Sequence, residues 1–243
     1  MRTLILSDIH ANQVALETVL AEATGQWDRL WFLGDLVGYG PDPNECVDLL
    51  RSLDPLALSG NHDWAVLDKI DTEEFNPEAM KAVVWTKQTL NKDNEAYLDT
   101  LPPRWIEGDF TLAHASPRHP VWEYIIDLQT ALENFDHFDT TYCLVGHSHV
   151  PSLFELDTEA AVLNGFMVGA GEVIELSRHR LILNPGSVGQ PRDGDPRAAY
   201  ALLDNESMTC TFHRVAYDVA ETQRRMKTQN LPRRLIDRLD QGV

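Results

Sequence analysis

The sequence is poor in cysteine and has no long apolar run. Its three cysteines, Cys46, Cys143 and Cys210, lack CxxC spacing, which argues against a disulfide framework or a thiolate zinc site. No stretch approaches the ~18 apolar residues of a membrane span. The apolar run at the N-terminus is too short for a signal peptide. We therefore expect reduced thiols, a cytoplasmic location and no membrane partner.

Basic residues are also scarce. Lysine and arginine total 20 against 38 aspartates and glutamates, and the formal net charge is −18. Each phosphate of a nucleic acid must be neutralised by Lys or Arg, so this charge repels long polyanions. We predict no long nucleic-acid partner. The simpler interpretation of the acidic surface, that it only keeps the protein soluble, stays open.

The remaining composition is typical of a folded chain. With 243 residues, 43% hydrophobic and 24% charged, the chain can bury a substantial core, and we expect one domain over residues 1–243. In the first sixty residues, apolar runs at 3–6, 29–33 and 56–58 alternate with helical patterns. Strands alternating with helices favour an α/β fold with a parallel sheet.

Helical and strand patterns are distributed unevenly in the rest of the chain. Residues 76–101 predict a helical insertion that ends at Pro102. Strand candidates follow at 110–113, 142–145, 153–156, 161–163, 173–176, 181–183, 200–203 and 209–214. Residues 231–240 predict an amphipathic C-terminal helix. This helix could dock on the protein's own sheet or on a second subunit, which leaves a homo-oligomer open.

Chemically capable residues are concentrated in five clusters, each directly after an apolar strand. They are Asp8-Ile9-His10, Gly34-Asp35, Gly60-Asn61-His62-Asp63, His114 and Gly146-His147-Ser148-His149. In open α/β sheets, sites form at the carboxyl ends of strands, so these side chains could meet in one crevice. Glycines in three of the clusters permit tight turns and close backbone approach.

Each cluster taken alone has an ordinary structural explanation. Asp8 or His10 could cap the following helix, Asn61 and Asp63 are common turn residues, and His114 could be a core histidine. Together they supply seven nitrogen or oxygen ligands and no thiolate, a set suited to Mn, Fe, Zn or Ni. Seven ligands are too many for one ion. The seven are Asp8, His10, Asp35, Asn61, His114, His147 and His149.

At these residues the sequence resembles the calcineurin-like metallophosphoesterase family. That family's signature is D-x-H, G-D, G-N-H-[DE], H and G-H-x-H, and every element is present between positions 8 and 149. The later Asn184-Pro185-Gly186-Ser187 resembles the loop that ends the core in small bacterial members. The resemblance implies an α/β fold of two packed mixed β-sheets flanked by helices, a four-layer sandwich.

The resemblance also implies a cofactor of two divalent metal ions. Asp8, His10, Asp35 and His149 would hold the first ion, and Asp35, Asn61, His114 and His147 the second. Asp35 would bridge them. Manganese is the first candidate, with Fe, Zn or Ni as alternatives. Asn12 looks like the Asn of the D-x-H-G-N form, although Ala11 replaces the usual Gly, and Asn12 and Asn61 are predicted substrate contacts.

The implied reaction is hydrolysis of a small phosphate mono- or diester by a metal-bridged hydroxide. His62 would protonate the leaving group as general acid, and Asp63 beside it would orient the imidazolium. Arg118, with Trp122 and Tyr124, follows a predicted ligand and could contact the substrate. Arg192 is a second candidate, because guanidinium binds phosphate in a fork. The alternative for each arginine is a surface ion pair.

Three other functions stay open from the sequence. A noncatalytic metal-binding scaffold could keep the fold, because fold does not fix function. Within enzymes, a protein Ser/Thr phosphatase or a short-oligonucleotide nuclease has the same chemistry. The complete ligand set, together with His62 and Asp63, favours the enzyme over the scaffold.

Overall fold

The computed structural model describes residues 1–73, 75–176 and 179–243, and in these residues the chain forms twelve strands and eight helices. The strands are β1 Arg2–Leu6, β2 Arg29–Phe32, β3 Leu56–Ala57, β4 Arg104–Glu107, β5 Phe110–Ala113, β6 Tyr142–Leu144, β7 Ser152–Asp157, β8 Val162–Met167, β9 Val173–Glu175, β10 Arg180–Asn184, β11 Ala198–Asp204 and β12 Thr209–Val215. The helices are α1 Gln13–Glu22, α2 Pro43–Ser52, α3 Asn61–Val66, α4 Pro77–Thr89, α5 Lys92–Asp99, α6 Leu128–Phe135, α7 Val219–Thr228 and α8 Arg233–Asp237.

The strands form two six-stranded mixed sheets. The first has the order β3-β2-β1-β11-β12-β9, with β1, β2 and β3 parallel and the others antiparallel to their neighbours. The second has the order β4-β5-β6-β10-β7-β8, with β5, β6 and β10 parallel. The predicted α/β fold of two mixed sheets flanked by helices is confirmed.

Strand β1 shows how the sheets bury their two faces. Its alternate side chains point in opposite directions. Ile5 joins the core between the two sheets, with Trp31, Leu144 and Leu183, and Leu4 packs on the helical side. Each fully buried side chain of this size contributes roughly 1.5–3 kcal/mol. A strand buried on both faces must be apolar throughout, which is why β1 reads as a continuous apolar run.

The predicted helix over 76–101 is two helices. Leu90 is extended between α4 and α5, and the Asn91 side chain accepts a hydrogen bond from the Asn94 N–H to begin the second helix. Sequence reasoning missed α6 and α7. Both helices begin at an N-cap aspartate. Asp127 accepts a hydrogen bond from the Thr130 N–H at the start of α6, and Asp218 accepts one from the Glu221 N–H at the start of α7.

The C-terminal helix α8 is shorter than the predicted 231–240. Its Leu235 and Ile236 are buried in one cluster with Met226 of α7, Ala82 of α4 and Tyr39. The helix therefore packs on its own chain, as one of the two sequence interpretations has it. Among the described residues, no helix combines the length and apolar character needed to cross a membrane.

Candidate metal centre

The ligand-type side chains meet at the carboxyl ends of five strands, three from the first sheet and two from the second. We call the seven residues Asp8, His10, Asp35, Asn61, His114, His147 and His149 the ligand cluster. Each is at most 3% exposed. Because β1, β2 and β3 run parallel, as do β5 and β6, the loops that follow them open on the same edge of the sandwich.

The cluster divides into two groups that share one carboxylate. Ligand atoms of Asp8, His10, Asp35 and His149 lie within 4.8 Å of one another, and so do those of Asp35, His114 and His147. The Asn61 Oδ1 lies 3.2 Å from His114 Nε2, so the amide oxygen belongs to the second group. All seven residues predicted as ligands are therefore brought together, with Asp35 at the centre.

Backbone carbonyls orient three of the histidines. His10, His114 and His149 each donate from Nδ1 to a carbonyl oxygen; the acceptors are Val37 at 3.2 Å, Leu33 at 2.9 Å and Gln190 at 2.6 Å, respectively. A carbonyl can only accept, so Nδ1 carries a proton in all three, and Nε2 is the ring nitrogen that faces the cluster. This is the usual support of a metal-binding imidazole.

Several buried atoms of the cluster lack the partner that a cation would supply. His10 Nε2 and His149 Nε2 lie 3.1 Å apart with their lone pairs facing. Among the described residues, Asp8 Oδ1, Asp35 Oδ2 and His147 Nε2 are buried without a hydrogen-bond partner. A buried unsatisfied polar group costs about 1–3 kcal/mol, and more if charged. The residues therefore fit two divalent cations.

The protonation states agree with metal binding. Burial opposes ionisation of Asp8 and Asp35, but nearby His149 and His114 outweigh it and hold the pKa of both carboxyls below the ordinary value. Burial lowers the pKa of His10 and His149, and that of His147 to about 3. These groups are thus carboxylates and neutral imidazoles, the forms that bind metals. His114 differs: burial opposes its ionisation, but Asp35 outweighs burial and raises the pKa of His114 to about 9, so a metal ion bound there would displace a proton.

The backbone is strained at most of the ligands. Five of them have positive φ, namely Asp8 at 54°, His10 at 50°, Asp35 at 59°, His147 at 64° and His149 at 62°. Such conformations cost roughly 1–3 kcal/mol each and concentrate at functional sites. Ala11 also has φ 50°, which gives a physical reason for the glycine that the D-x-H-G-N form has there.

Two motif glycines are required by close approach. A Cβ at Gly60 would lie 2.1 Å from Asp35 Oδ1, and one at Gly146 would lie 2.0 Å from Ser7 Oγ and 2.8 Å from Asp8 Oδ2. The predicted close backbone approach is confirmed at both positions. Because these two residues have no Cβ, their loops can pack directly against the carboxylates of Asp35 and Asp8.

His62 lies at the edge of the ligand cluster. It lines a cavity of about 80 Å³, the cluster cavity, together with Asp35, Asn61 and His147. Its ring lies 5.0 Å from that of His10, and its Nδ1 has no hydrogen-bond partner among the described residues. Burial lowers the pKa of His62 to about 4, so the imidazole is neutral when no anion is bound.

The predicted contact of Asp63 with the His62 imidazole is wrong. The Asp63 carboxylate accepts hydrogen bonds of 2.9–3.1 Å from the backbone N–H groups of Gly60 and of residues 35–37. Asp63 sits in the first turn of α3, where a carboxylate is drawn to free backbone amides. It therefore fixes the Asp35 loop and not the imidazole.

Asn12 is likewise corrected, from a substrate contact to a structural residue. It is 1% exposed and caps α1, its Oδ1 accepting from the Ala15 N–H and the Thr222 hydroxyl. Its Nδ2 donates to the Gly189 carbonyl at 2.9 Å and to the Tyr217 hydroxyl at 3.2 Å. Every polar atom of the side chain is thus used within the protein.

The two predicted arginines differ. Arg118 pairs with Glu123 and, at 2.6 Å, with Glu133, so the surface ion pair describes it and the predicted substrate contact is corrected. Arg192 lines the cluster cavity and donates to Gln190 Oε1 at 3.0 Å, while its buried Nε has no partner among the described residues.

Aromatic rings surround the cluster cavity, and only two of them were predicted. Tyr124 stacks on His147 with ring centroids 3.9 Å apart, and Trp122 lines the same cavity. Sequence reasoning missed Tyr39, 4.2 Å from the His62 ring, and Phe75, 5.0 Å from it. Tyr39 carried a signal, because it stands between two glycines just after the Gly34-Asp35 motif.

Two mixed sheets with a buried Asp and His cluster at the strand ends define a metal-dependent hydrolase. The family model described as calcineurin-like phosphoesterase superfamily domain matches residues 1–208. The chain therefore belongs to the calcineurin-like phosphoesterase superfamily, as its motifs predict, and is a hydrolytic phosphoesterase.

Individual relatives agree with this assignment. A metallophosphoesterase crystal structure from Sphaerobacter thermophilus is 50% identical, covers 100% of this chain and 99% of that one, and superposes with a TM-score of 0.92. An uncharacterized protein of Methanocaldococcus jannaschii is 36% identical over 98% of this chain and 97% of its own length. The symmetrical bis(5'-nucleosyl)-tetraphosphatase of Aromatoleum aromaticum is 34% identical, but over only 36% of this chain and 33% of its own length.

Proposed function

We propose that the chain hydrolyses a small phosphate mono- or diester with two divalent metal ions, Mn²⁺ being the first candidate. Asp8, His10, Asp35 and His149 would hold one ion, and Asp35, Asn61, His114 and His147 the other. The observation that carries this proposal is the pair of ligand groups that share Asp35. When bound, two such ions activate a water as nucleophile and stabilise charge on the phosphoryl group.

The chain's own residues would shape the remaining steps. The cluster cavity, at about 80 Å³, suits a small group such as a phosphoryl, and Tyr124 and Trp122 form part of its lining. His62 is placed to give a proton to the leaving oxygen. A phosphate anion next to His62 raises the pKa of the imidazole against the effect of burial, so that the proton arrives with the substrate.

A dinucleoside polyphosphate is one substrate candidate, because some relatives are named as symmetrical bis(5'-nucleosyl)-tetraphosphatases. The net charge of −18 favours a small substrate over a long nucleic acid. The cytoplasm, where such nucleotides occur, stays the predicted location.

The test is to strip the protein with a chelator and reload it separately with Mn²⁺, Ni²⁺, Zn²⁺ and Mg²⁺. Each form is assayed on p-nitrophenyl phosphate and bis-p-nitrophenyl phosphate, and bound metal is counted by mass spectrometry. We expect two ions per chain and metal-restored turnover. Asp35→Asn should lose both ions and at least about 10³-fold of activity, since metals supply several kcal/mol.

The matched control is Asp240→Asn, an exposed carboxyl outside the site. It should leave metal content and turnover unchanged. Two bound ions per chain without turnover of any ester would favour the noncatalytic scaffold. One ion per chain with full activity would contradict the dinuclear mechanism.

A further inference from the structure

A larger cavity adjoins the cluster cavity on the side of α8. This C-terminal cavity has a volume of about 720 Å³. Four residues line both cavities, Tyr39, Asn76, Tyr124 and Arg192, so the two cavities are adjacent. The size falls within the roughly 300–1,000 Å³ of small-molecule sites. A substrate held at the ligand cluster can therefore extend into the C-terminal cavity.

The lining of the C-terminal cavity is basic, although the protein as a whole is strongly acidic. Its four arginines are Arg192, Arg233, Arg234 and Arg238, and its two carboxylates are Glu78 and Asp237. The chain has only 20 basic residues against 38 acidic ones, so four arginines at one cavity concentrate its scarce positive charge. Such a concave patch attracts anions.

Arg192 and Arg238 differ in position: Arg192 lines both cavities, whereas Arg238 lines only the C-terminal cavity. Arg192 has a buried Nε with no partner among the described residues. Arg238 is partly buried and donates from Nε to the Val243 carbonyl. Burial lowers the pKa of Arg238 to about 10, and the positive charges of Arg192 and Arg234 act in the same direction. Mutual repulsion of this kind is relieved when an anion binds between the guanidinium groups.

Arg233 differs from the others. It pairs with Asp237 one turn later at 3.2 Å, and its side chain is 92% exposed. It therefore lies at the rim. The other arginines that line the cavity are Arg192, Arg234 and Arg238, which come from a loop and from the C-terminal segment.

We propose that the C-terminal cavity is a second anion subsite, which binds a phosphate group of the substrate other than the one attacked. Guanidinium groups bind phosphate oxygens in a bidentate fork, and several convergent arginines suit a group with up to two charges. The substrate class is then a small molecule with two or more phosphates, such as a nucleoside polyphosphate. This inference rests on the proposed function for the position of the attacked phosphate.

The first experiment measures binding without metals, so that it stands apart from catalysis. Inorganic tripolyphosphate is titrated calorimetrically into chelator-stripped, dialysed protein. We expect saturable binding, weakened about 10- to 100-fold in Arg238→Gln and in Arg234→Gln, which matches the loss of one hydrogen bond to a charged group. Circular dichroism melting confirms that each variant is folded, and having two variants keeps the test valid if one fails to fold.

The control is Arg224→Gln, which removes the same charge from α7, where Arg224 pairs with Glu221 and is 68% exposed. This variant should bind tripolyphosphate with the same affinity as the wild-type protein. An equal loss of affinity in this control would show that binding depends only on the overall charge of the protein, and it would overturn the subsite. No binding to the unchanged protein, or binding that Arg238→Gln leaves intact, would also overturn it. Citrate is the second probe, and citrate binding as tight as tripolyphosphate binding would overturn the assignment to phosphate.

Turnover provides the second readout. In the metal-loaded enzyme, Arg238→Gln should raise KM for diadenosine tetraphosphate about 10- to 100-fold and leave kcat/KM for p-nitrophenyl phosphate unchanged. An equal effect on both substrates would overturn the subsite. If the wild-type enzyme hydrolyses neither substrate, the proposed function fails, and the metal-free titration still decides whether the subsite exists.

Discussion

The ligand cluster and the C-terminal cavity are built in opposite ways. The cluster consists of motif residues directly after strands, held by positive φ, close glycines and hydrogen bonds to the backbone. The C-terminal cavity takes its arginines from a loop and a five-residue helix, with no motif among them. A metal site needs its ligands in a fixed geometry, and this requirement produces a recognisable sequence motif. A basic surface that binds substrate has no such requirement, so its arginines form no motif.

The largest effect is expected at His62, which lines the cluster cavity. His62→Ala should lower kcat about 10²- to 10⁴-fold for phenyl phosphate, whose leaving group needs a proton. For p-nitrophenyl phosphate the loss should be much smaller. Steady-state kinetics on both esters measure the ratio, with exposed His137→Ala as control. Equal losses on the two esters would remove His62 from the role of general acid.

Asp63 tests whether the cluster depends on its backbone supports. Asp63→Asn replaces one of the two acceptor oxygens with an amide NH2 that faces backbone N–H donors, so the free energy of unfolding should fall by about 1–3 kcal/mol. Metal affinity should also fall, because the Asp35 loop loses its anchor. Urea unfolding and metal titration give both quantities, with Asp240→Asn as reference. Asp63→Asn could instead leave stability unchanged and alter the dependence of kcat on the leaving group as His62→Ala does. That result would restore the predicted role of Asp63 in orienting the His62 imidazolium.

Asn12 sharpens the distinction between support and substrate contact. Asn12→Ala removes the cap of α1 and leaves the Thr222 and Gly189 groups without partners, which should cost about 1–2 kcal/mol of stability. KM for small esters should not change. Thermal melting and kinetics measure the two effects. A raised KM in a protein of unchanged melting temperature would restore the predicted substrate contact.

The smallest effect is expected at Arg118, compared with Arg192. Arg118→Gln breaks the ion pairs with Glu123 and Glu133, and it should leave KM unchanged because Arg118 does not line the cluster cavity. Arg192→Gln removes the arginine that borders both spaces and should raise KM for p-nitrophenyl phosphate. The two variants carry the same charge change. A rise in KM in Arg118→Gln as large as in Arg192→Gln would contradict the distinction between an arginine outside the cavity and one that lines it.

Much of the fold could be predicted where periodicity was strong. The early strands and helices carry apolar residues at regular spacing. Strand β1 is a continuous apolar run because both of its faces are buried. Helices α6 and α7 were missed, and strand β4 was missed because it lies at a sheet edge with two exposed residues, Trp105 and Ile106. Edge strands depend on their tertiary neighbours, which single-sequence patterns do not contain. Helices α6 and α7 are clearly amphipathic, so the sequence did carry a signal for both.

By itself the sequence determined the family and the seven residues of the ligand cluster, because metal coordination demands fixed residue types at fixed short spacings after strands. Only the tertiary structure decided the tasks of Asn12, Asp63 and Arg118, since each depends on partners that the fold supplies. The same holds for Arg238 beside Arg192, which are far apart in sequence. Charge and hydrogen bonding act through space, so their partners are known only when the chain is folded.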